Sequence, residues 1–360
     1  MIGSWDWSRQ ILAGNKRLAL QTPRSSSTLR CGATSTEMEH EEVTTKRVII
    51  DTDPGIDDTA AIFLALASPE LHVEALTTVY GNGTIADCTR NALVILETAG
   101  RSDIPVYQGV GKPLMRTPTY ASYVHGGDAL GGVGVPLPVG APQARHAVYE
   151  LVERVMASPG EITLIALGPL TNVALALSLE PRLASALAEL IVMGGAVLTH
   201  GNITEVATAN LYNDPEAAAI VYQSGAPVVQ VGMDVCQKVA IPEAHLERFQ
   251  RTPTPLAQLL TRITPTLVKS YAERGLRRLG TGVHYNDVPA VAYAIDPRLY
   301  EAREYHVRIA THDALTRGQT VADVIQRWHY PPNAKVLMEV QAERLADMFT
   351  TRVLSYSGPA

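Results

Sequence analysis

Cysteine is scarce in this chain. The 360 residues hold three, Cys31, Cys88 and Cys236, widely spaced and matching neither a CxxC nor a zinc-ligand pattern. This usage excludes a disulfide framework and a thiolate metal centre, and it is what a reducing, intracellular setting leads one to expect. Long apolar runs are missing too: none approaches the ~20 residues of a membrane-spanning helix, so no membrane partner is expected. Positive charge is not in excess. Thirty Lys and Arg against 36 Asp and Glu give a formal charge of −6, which is no electrostatic footprint for nucleic acid. Phosphate-binding signatures are lacking: Gly81-Asn82-Gly83 has no third glycine at the right spacing, and no GxxxxGK followed by Ser or Thr occurs. There is no GxSxG nucleophile elbow either.

What the chain does have is 46% hydrophobic against 18% charged residues, ample for a buried core. It also has one acidic stretch of a kind that a core does not need. Val48-Ile49-Ile50 runs into Asp51-Thr52-Asp53-Pro54-Gly55-Ile56-Asp57-Asp58, four carboxylates in eight positions. The apolar run, the Pro-Gly break and the pattern Ile62, Phe63, Leu66 read as strand, loop and helix. The carboxylates then lie at the carboxyl end of a strand, where open α/β sheets bind their ligands. Helix capping accounts for one or two of them. Four repel one another unless a cation holds them, and hard oxygen donors suit Ca²⁺ or Mg²⁺ better than Zn²⁺.

Residues 1–45 differ from the rest. Basic positions such as Arg9, Lys16, Arg17, Arg24 and Arg30, with a Ser25-Ser26-Ser27 run, precede an acidic patch at Glu37, Glu39, Glu41 and Glu42. A disordered or organelle-targeting leader is expected there, ahead of one cytoplasmic domain over 46–360. Within that domain strand-like and helix-like runs alternate. Strands are expected at 73–79, 104–106, 161–167, 190–193 and 228–232, and helices at 86–99, 146–156, after 172, from 214 and from 287. Two helical pieces are expected over 241–274, split at Thr252-Pro253-Thr254-Pro255. The Gly-rich stretch 125–132 reads as a long functional loop. The alternation predicts an α/β fold: an open, doubly wound, mainly parallel sheet, Rossmann-like, with helices on both faces. Polar residues recur at the strand ends (Asn82, Asn202, Glu205, Thr208, Asn210, and His284-Tyr285-Asn286-Asp287), where the loops of such a sheet converge on one crevice.

The Asp51–Asp58 stretch resembles the signature of the inosine–uridine-preferring nucleoside hydrolases. The resemblance continues through Thr77-Thr78-Val79-Tyr80-Gly81-Asn82, His125-Gly126, Leu167-Gly168-Pro169-Leu170-Thr171-Asn172, Met193-Gly194-Gly195, Gly201-Asn202, Asn210, Asp214-Pro215-Glu216 and Asp287. It implies hydrolysis of the N-glycosidic bond of ribonucleosides, purine or pyrimidine, in a homodimer or homotetramer. It further implies a Ca²⁺ cofactor held by Asp53, Asp58, Asp287 and the Leu167 carbonyl. Asp57, Asn210 and Asp287 would bind the ribose 2′- and 3′-hydroxyls, Asn202 the 5′-hydroxyl, and Met193 would line the sugar pocket. Asn82 would help to place a water whose proton Asp53 accepts. Carboxylates so placed stabilise an oxocarbenium-like transition state more than the neutral substrate.

Two positions depart from the family pattern. Thr208 stands where an acidic residue commonly holds the 5′-hydroxyl, and Asn286 stands where a leaving-group histidine usually precedes Asp287. His125 and His284 are the candidates left to assist the base. Other readings are an N-ribosyl hydrolase acting on a related compound, a phosphatase built on a strand-end aspartate, and a nucleoside-binding protein with weakened catalysis.

Overall fold

The first strand shows how the chain is layered. In a computed structural model of the protein, which describes residues 45–273 and 282–358, β1 (Lys46–Thr52) is buried along its last five residues. Successive side chains of a strand point to opposite faces. Val48 and Ile50 accordingly enter one hydrophobic cluster and Ile49 the other. A strand covered on both faces reads as a continuous apolar run rather than an alternating one, which is why Val48-Ile49-Ile50 is uninterrupted.

The remaining strands are β2 (Leu71–Thr78), β3 (Val106–Gln108), β4 (Ile162–Ala166), β5 (Glu189–Met193), β6 (Val228–Val231), β7 (Tyr300–Tyr305), β8 (Val307–Ile309), β9 (Thr320–Ala322) and β10 (Ala334–Val340). Eight form one sheet in the order β3-β2-β1-β4-β5-β6-β10-β7, while β8 and β9 make a separate antiparallel pair. Every neighbour in the large sheet is parallel except β7, which runs antiparallel to β10. The order reverses direction between β1 and β4, and at such a switch point the flanking loops diverge and leave a crevice.

Helices Ile56–Leu66, Pro255–Glu273, Val288–Ile295 and Ala342–Ser355 contribute to the first cluster. Ala147–Ala157, Thr171–Leu179 and Pro215–Gln223 contribute to the second. The α/β sheet expected from the sequence is therefore present, with helices on both faces. The expected split near Thr252 lies between helices Glu243–Arg251 and Pro255–Glu273. Short helices without a sequence signal stand at Ser122–His125, just ahead of the Gly-rich stretch, and at Ala209–Asn213. Both are about one turn long, too short for a periodic pattern to reveal. The leader expected over 1–45 lies, apart from Thr45, outside the described residues.

Phe349, fully buried, packs against Phe249 and Tyr285 with ring centroids 5.7 Å away in each case. Phe349→Ala should lower stability by about 3–5 kcal/mol in urea denaturation. A loss below about 1 kcal/mol would mean that the cluster repacks around the gap.

Candidate active site

The site forms where β1 ends. Helix Ile56–Leu66 starts four residues after that strand, so Asp53 occupies the intervening loop and Asp57 and Asp58 the first helical turn. Asp58 does cap this helix, accepting Gly55 N at 2.9 Å. Asn82 Nδ2 donates to the same oxygen at 2.8 Å, and the other oxygen takes the Thr52 hydroxyl. Asp287 comes from far along the chain. It occupies the N-cap position of Val288–Ile295, yet its side chain makes no capping hydrogen bond. Its carboxylate instead joins the group: Asp57, Asp58 and Asp287 each offer an oxygen such that these atoms lie within 4.8 Å of one another.

Asp53 stands beside this trio. Asn82 N donates to its Oδ2 at 2.7 Å, and Asn82 Nδ2 donates to its carbonyl at 3.0 Å. Glycines make room for its carboxylate: a Cβ on Gly81 would fall 2.0 Å from Oδ2, and one on Gly168 2.7 Å from Oδ1. Gly168 follows Leu167 at the end of β4, so Asp53 lies in the switch-point crevice itself. The sequence-derived cation set was Asp53, Asp58, Leu167 and Asp287. The tightest carboxylate group contains Asp57 in place of Asp53.

Burial dominates the electrostatics. All four aspartates are at most 7% exposed, and among the described residues no lysine or arginine forms an ion pair with any of them. Burial pushes the Asp57 carboxyl up to about 6. Burial and neighbouring carboxylates hold Asp53, Asp58 and Asp287 above the usual range as well. Behind them, burial raises Asp51 to about 7, although Thr77 and Asn172 donate to its Oδ1 at 2.6 and 2.8 Å.

Two oxygens of these aspartates have no hydrogen-bond partner, Asp51 Oδ2 behind the group and Asp57 Oδ1 within it. Asp57 Oδ1 is buried and unsatisfied. His125 Nδ1 lies 3.8 Å away but accepts the Ile56 N–H at 3.2 Å, so it has no proton there to offer. Burial lowers this imidazole to about 4. An unsatisfied buried carboxylate oxygen is costly, and a donor set made of oxygens fits a hard divalent cation.

The other expected residues fall into two places. Asn210 bridges two strand ends, its Nδ2 donating to the Leu167 and Met193 carbonyls, the latter at 3.1 Å. Asn202 and His284 line a separate small pocket with Tyr271, Gln237 and Asn286. Asn202 Oδ1 accepts Ala209 N at 2.8 Å. Thr208 is fully buried, and its hydroxyl accepts Gly195 N at 2.9 Å, so it braces the Gly194-Gly195 turn. Glu205, near it in sequence, is exposed. Tyr271 and Gln237 were not legible as site residues, because each belongs to a segment without a motif.

Fold and site together define an α/β enzyme whose polar centre sits at the sheet's switch point. The chain belongs to the inosine-uridine preferring nucleoside hydrolase family, whose sequence profile matches residues 48–347. It is therefore a ribonucleoside hydrolase, acting on N-glycosyl bonds. It is 39% identical over 310 residues to the pyrimidine-specific ribonucleoside hydrolase RihA of Citrobacter koseri, covering 86% of this chain and 98% of that one. Among solved structures it resembles the plant nucleoside hydrolase PpNRh1, with a TM-score of 0.81 and 37% identity over 86% of this chain and 99% of that one. A purine-preferring ribonucleoside hydrolase from Gardnerella vaginalis follows, with a TM-score of 0.80 and 29% identity over 86% and 99%.

The raised carboxyl pKa values fix a sign. A group whose folded pKa lies above its unfolded value of 3.8 stabilises the fold below that value and loses the contribution as pH rises through the folded one. The metal-free protein should thus lose melting temperature between about pH 4 and 7, relative to the same protein with excess Ca²⁺. A gap between the two melting curves that does not widen over this range would contradict the assignment.

Proposed function

We propose that this chain is a Ca²⁺-dependent hydrolase of pyrimidine ribonucleosides, releasing ribose and the free base. The observation that carries the cation is the buried trio Asp57, Asp58 and Asp287 with its unsatisfied Asp57 oxygen. The base preference rests on curated relatives at 38–40% identity, named as pyrimidine-specific, against 29% for the purine-preferring enzyme. An assembly of two or four copies is implied by the family resemblance alone. Among the described residues no helix is long and apolar enough to cross a membrane.

In this reading Asp58, Asp287, Asp53 and the Leu167 carbonyl hold the cation, with Asp57 near enough to share it. Bound there, Ca²⁺ supplies the positive charge that makes a water easier to deprotonate. Asp53 accepts that water's proton, and Asn82, tied to Asp53 at two points, orients the carboxylate. Asp57, Asp287 and Asn210 take the ribose 2′- and 3′-hydroxyls, Asn202 takes the 5′-hydroxyl and Met193 packs on the sugar. As the C1′–N bond lengthens, positive charge grows on the sugar, and the surrounding carboxylates stabilise it more than they do the neutral ground state. His125, its Nδ1 engaged by the Ile56 N–H, anchors the Gly-rich loop to the helix that carries Asp57 and Asp58.

The test is release of base and ribose from a panel of purine and pyrimidine ribonucleosides, with and without a chelator. Chelator-sensitive cleavage with uridine and cytidine ahead of inosine is expected. Full activity after exhaustive removal of divalent ions would defeat the cation's role. Asp53→Ala should retain the circular dichroism of the native fold and lose turnover by about 10²–10⁴-fold, the usual contribution of a positioned base. Turnover within a factor of a few of the native enzyme would remove Asp53 from that role.

A further inference from the structure

A pocket next to the carboxylates is lined by His200, Asn202, Gln237, Tyr271, His284 and Asn286, among others. Asn286 joins the two places. It precedes Asp287 in the chain, and its backbone N–H hydrogen-bonds Asp57, lowering that carboxyl. Its carbonyl accepts Cys236 Sγ at 3.3 Å, which fixes the backbone. Its side chain turns into the pocket, where Nδ2 reaches the Tyr271 hydroxyl at 3.1 Å, and that hydroxyl donates to the His284 carbonyl at 3.4 Å. A carboxamide NH₂ has two N–H donors, and Tyr271 takes one.

Among the described residues the pocket's lining carries no Asp, Glu, Lys or Arg. His284 Nδ1 is buried without a partner. Burial lowers the pKa of this imidazole, against the opposing pull of backbone hydrogen bonds at Cys236 and Val239. His200 stands at the exposed rim with Nδ1 on the Gly201 carbonyl at 2.8 Å. The group on the wall nearest the carboxylates is thus an amide, which gives hydrogen bonds and has no proton to transfer.

We propose that Asn286, oriented by Tyr271, is the leaving-group contact: its side-chain N–H binds the departing base, which leaves unprotonated by the protein. The inference rests on the ribonucleoside hydrolase reading. The C1′–N bond breaks with its electron pair going to the base, and the water oxygen bonds to C1′. Asp53 takes the water's proton and returns it to solvent, and the released base anion collects a proton from solvent. Atoms and charge balance without an added reactant.

Such an enzyme depends on the acidity of the leaving base. The experiment compares single-turnover cleavage of uridine and 5-fluorouridine, whose fluorine makes the base more acidic, in the Ca²⁺-loaded protein. Single turnover keeps product release out of the rate. The native enzyme should cleave 5-fluorouridine at least about 10-fold faster, part of the 10²–10⁴-fold that a general acid would otherwise supply. Asn286→His should flatten the difference by speeding uridine. His200→Gln and His284→Gln should leave the ratio of the two rates as in the native enzyme. Equal native rates overturn the proposal. So does a histidine substitution that cripples uridine while sparing 5-fluorouridine, since that histidine is then the proton donor. No cleavage of either nucleoside would instead remove the hydrolase reading for these substrates, an outcome distinct from a flat ratio.

Discussion

Repulsion among buried aspartates is the constraint on which the rest of this structure turns. Asp53, Asp57, Asp58 and Asp287 lie in one crevice, nearly out of reach of water and, among the described residues, without a lysine or arginine to neutralise them. Water screens charge well and a protein interior does not, so the arrangement costs stability unless something positive enters it. A structure selected for stability alone would disperse these groups. Their concentration at one point, with Asp57 Oδ1 left unsatisfied, is intelligible as a site prepared for a cation and for positive charge developing on a sugar.

The fold makes the concentration feasible. Strand β1 is central and buried on both faces, which delivers Asp53 to the floor of the switch-point crevice. The next helix begins at once, so Asp57 and Asp58 follow within one turn. Surrounding hydrogen bonds then limit how far the carboxylates can move apart. Thr52, Gly55 and Asn82 hold Asp58, Asn82 holds Asp53, and Asn172 and Thr77 hold Asp51 behind them. Asn210 ties the ends of β4 and β5 into the same rim.

Much of this was legible in the sequence because it is local. The strand, break and helix around Asp51–Asp58 span a single motif, and alternating patterns fixed the sheet's class. Asp287 was ambiguous by itself, since an aspartate before a helix is usually a cap; only the fold shows its carboxylate turned to Asp57 and Asp58. Thr208 illustrates the opposite case. Its place in the motif suggested only a sugar contact, and the fold adds that its hydroxyl oxygen accepts Gly195 N and braces that turn. Asp51 was counted with its neighbours, yet its Oδ1 is taken up by Thr77 and Asn172. The Asn286–Tyr271 pair was hidden because no periodic pattern links the two segments.

The most direct test of the central claim is calorimetric titration of Ca²⁺ into the chelator-treated protein near pH 7, for the native chain and for Asp57→Asn and Asp287→Asn. One ion per chain, bound by the native protein and lost or strongly weakened in both substituted forms, is the predicted result. No binding by the native protein, or binding that neither substitution disturbs, would contradict the account.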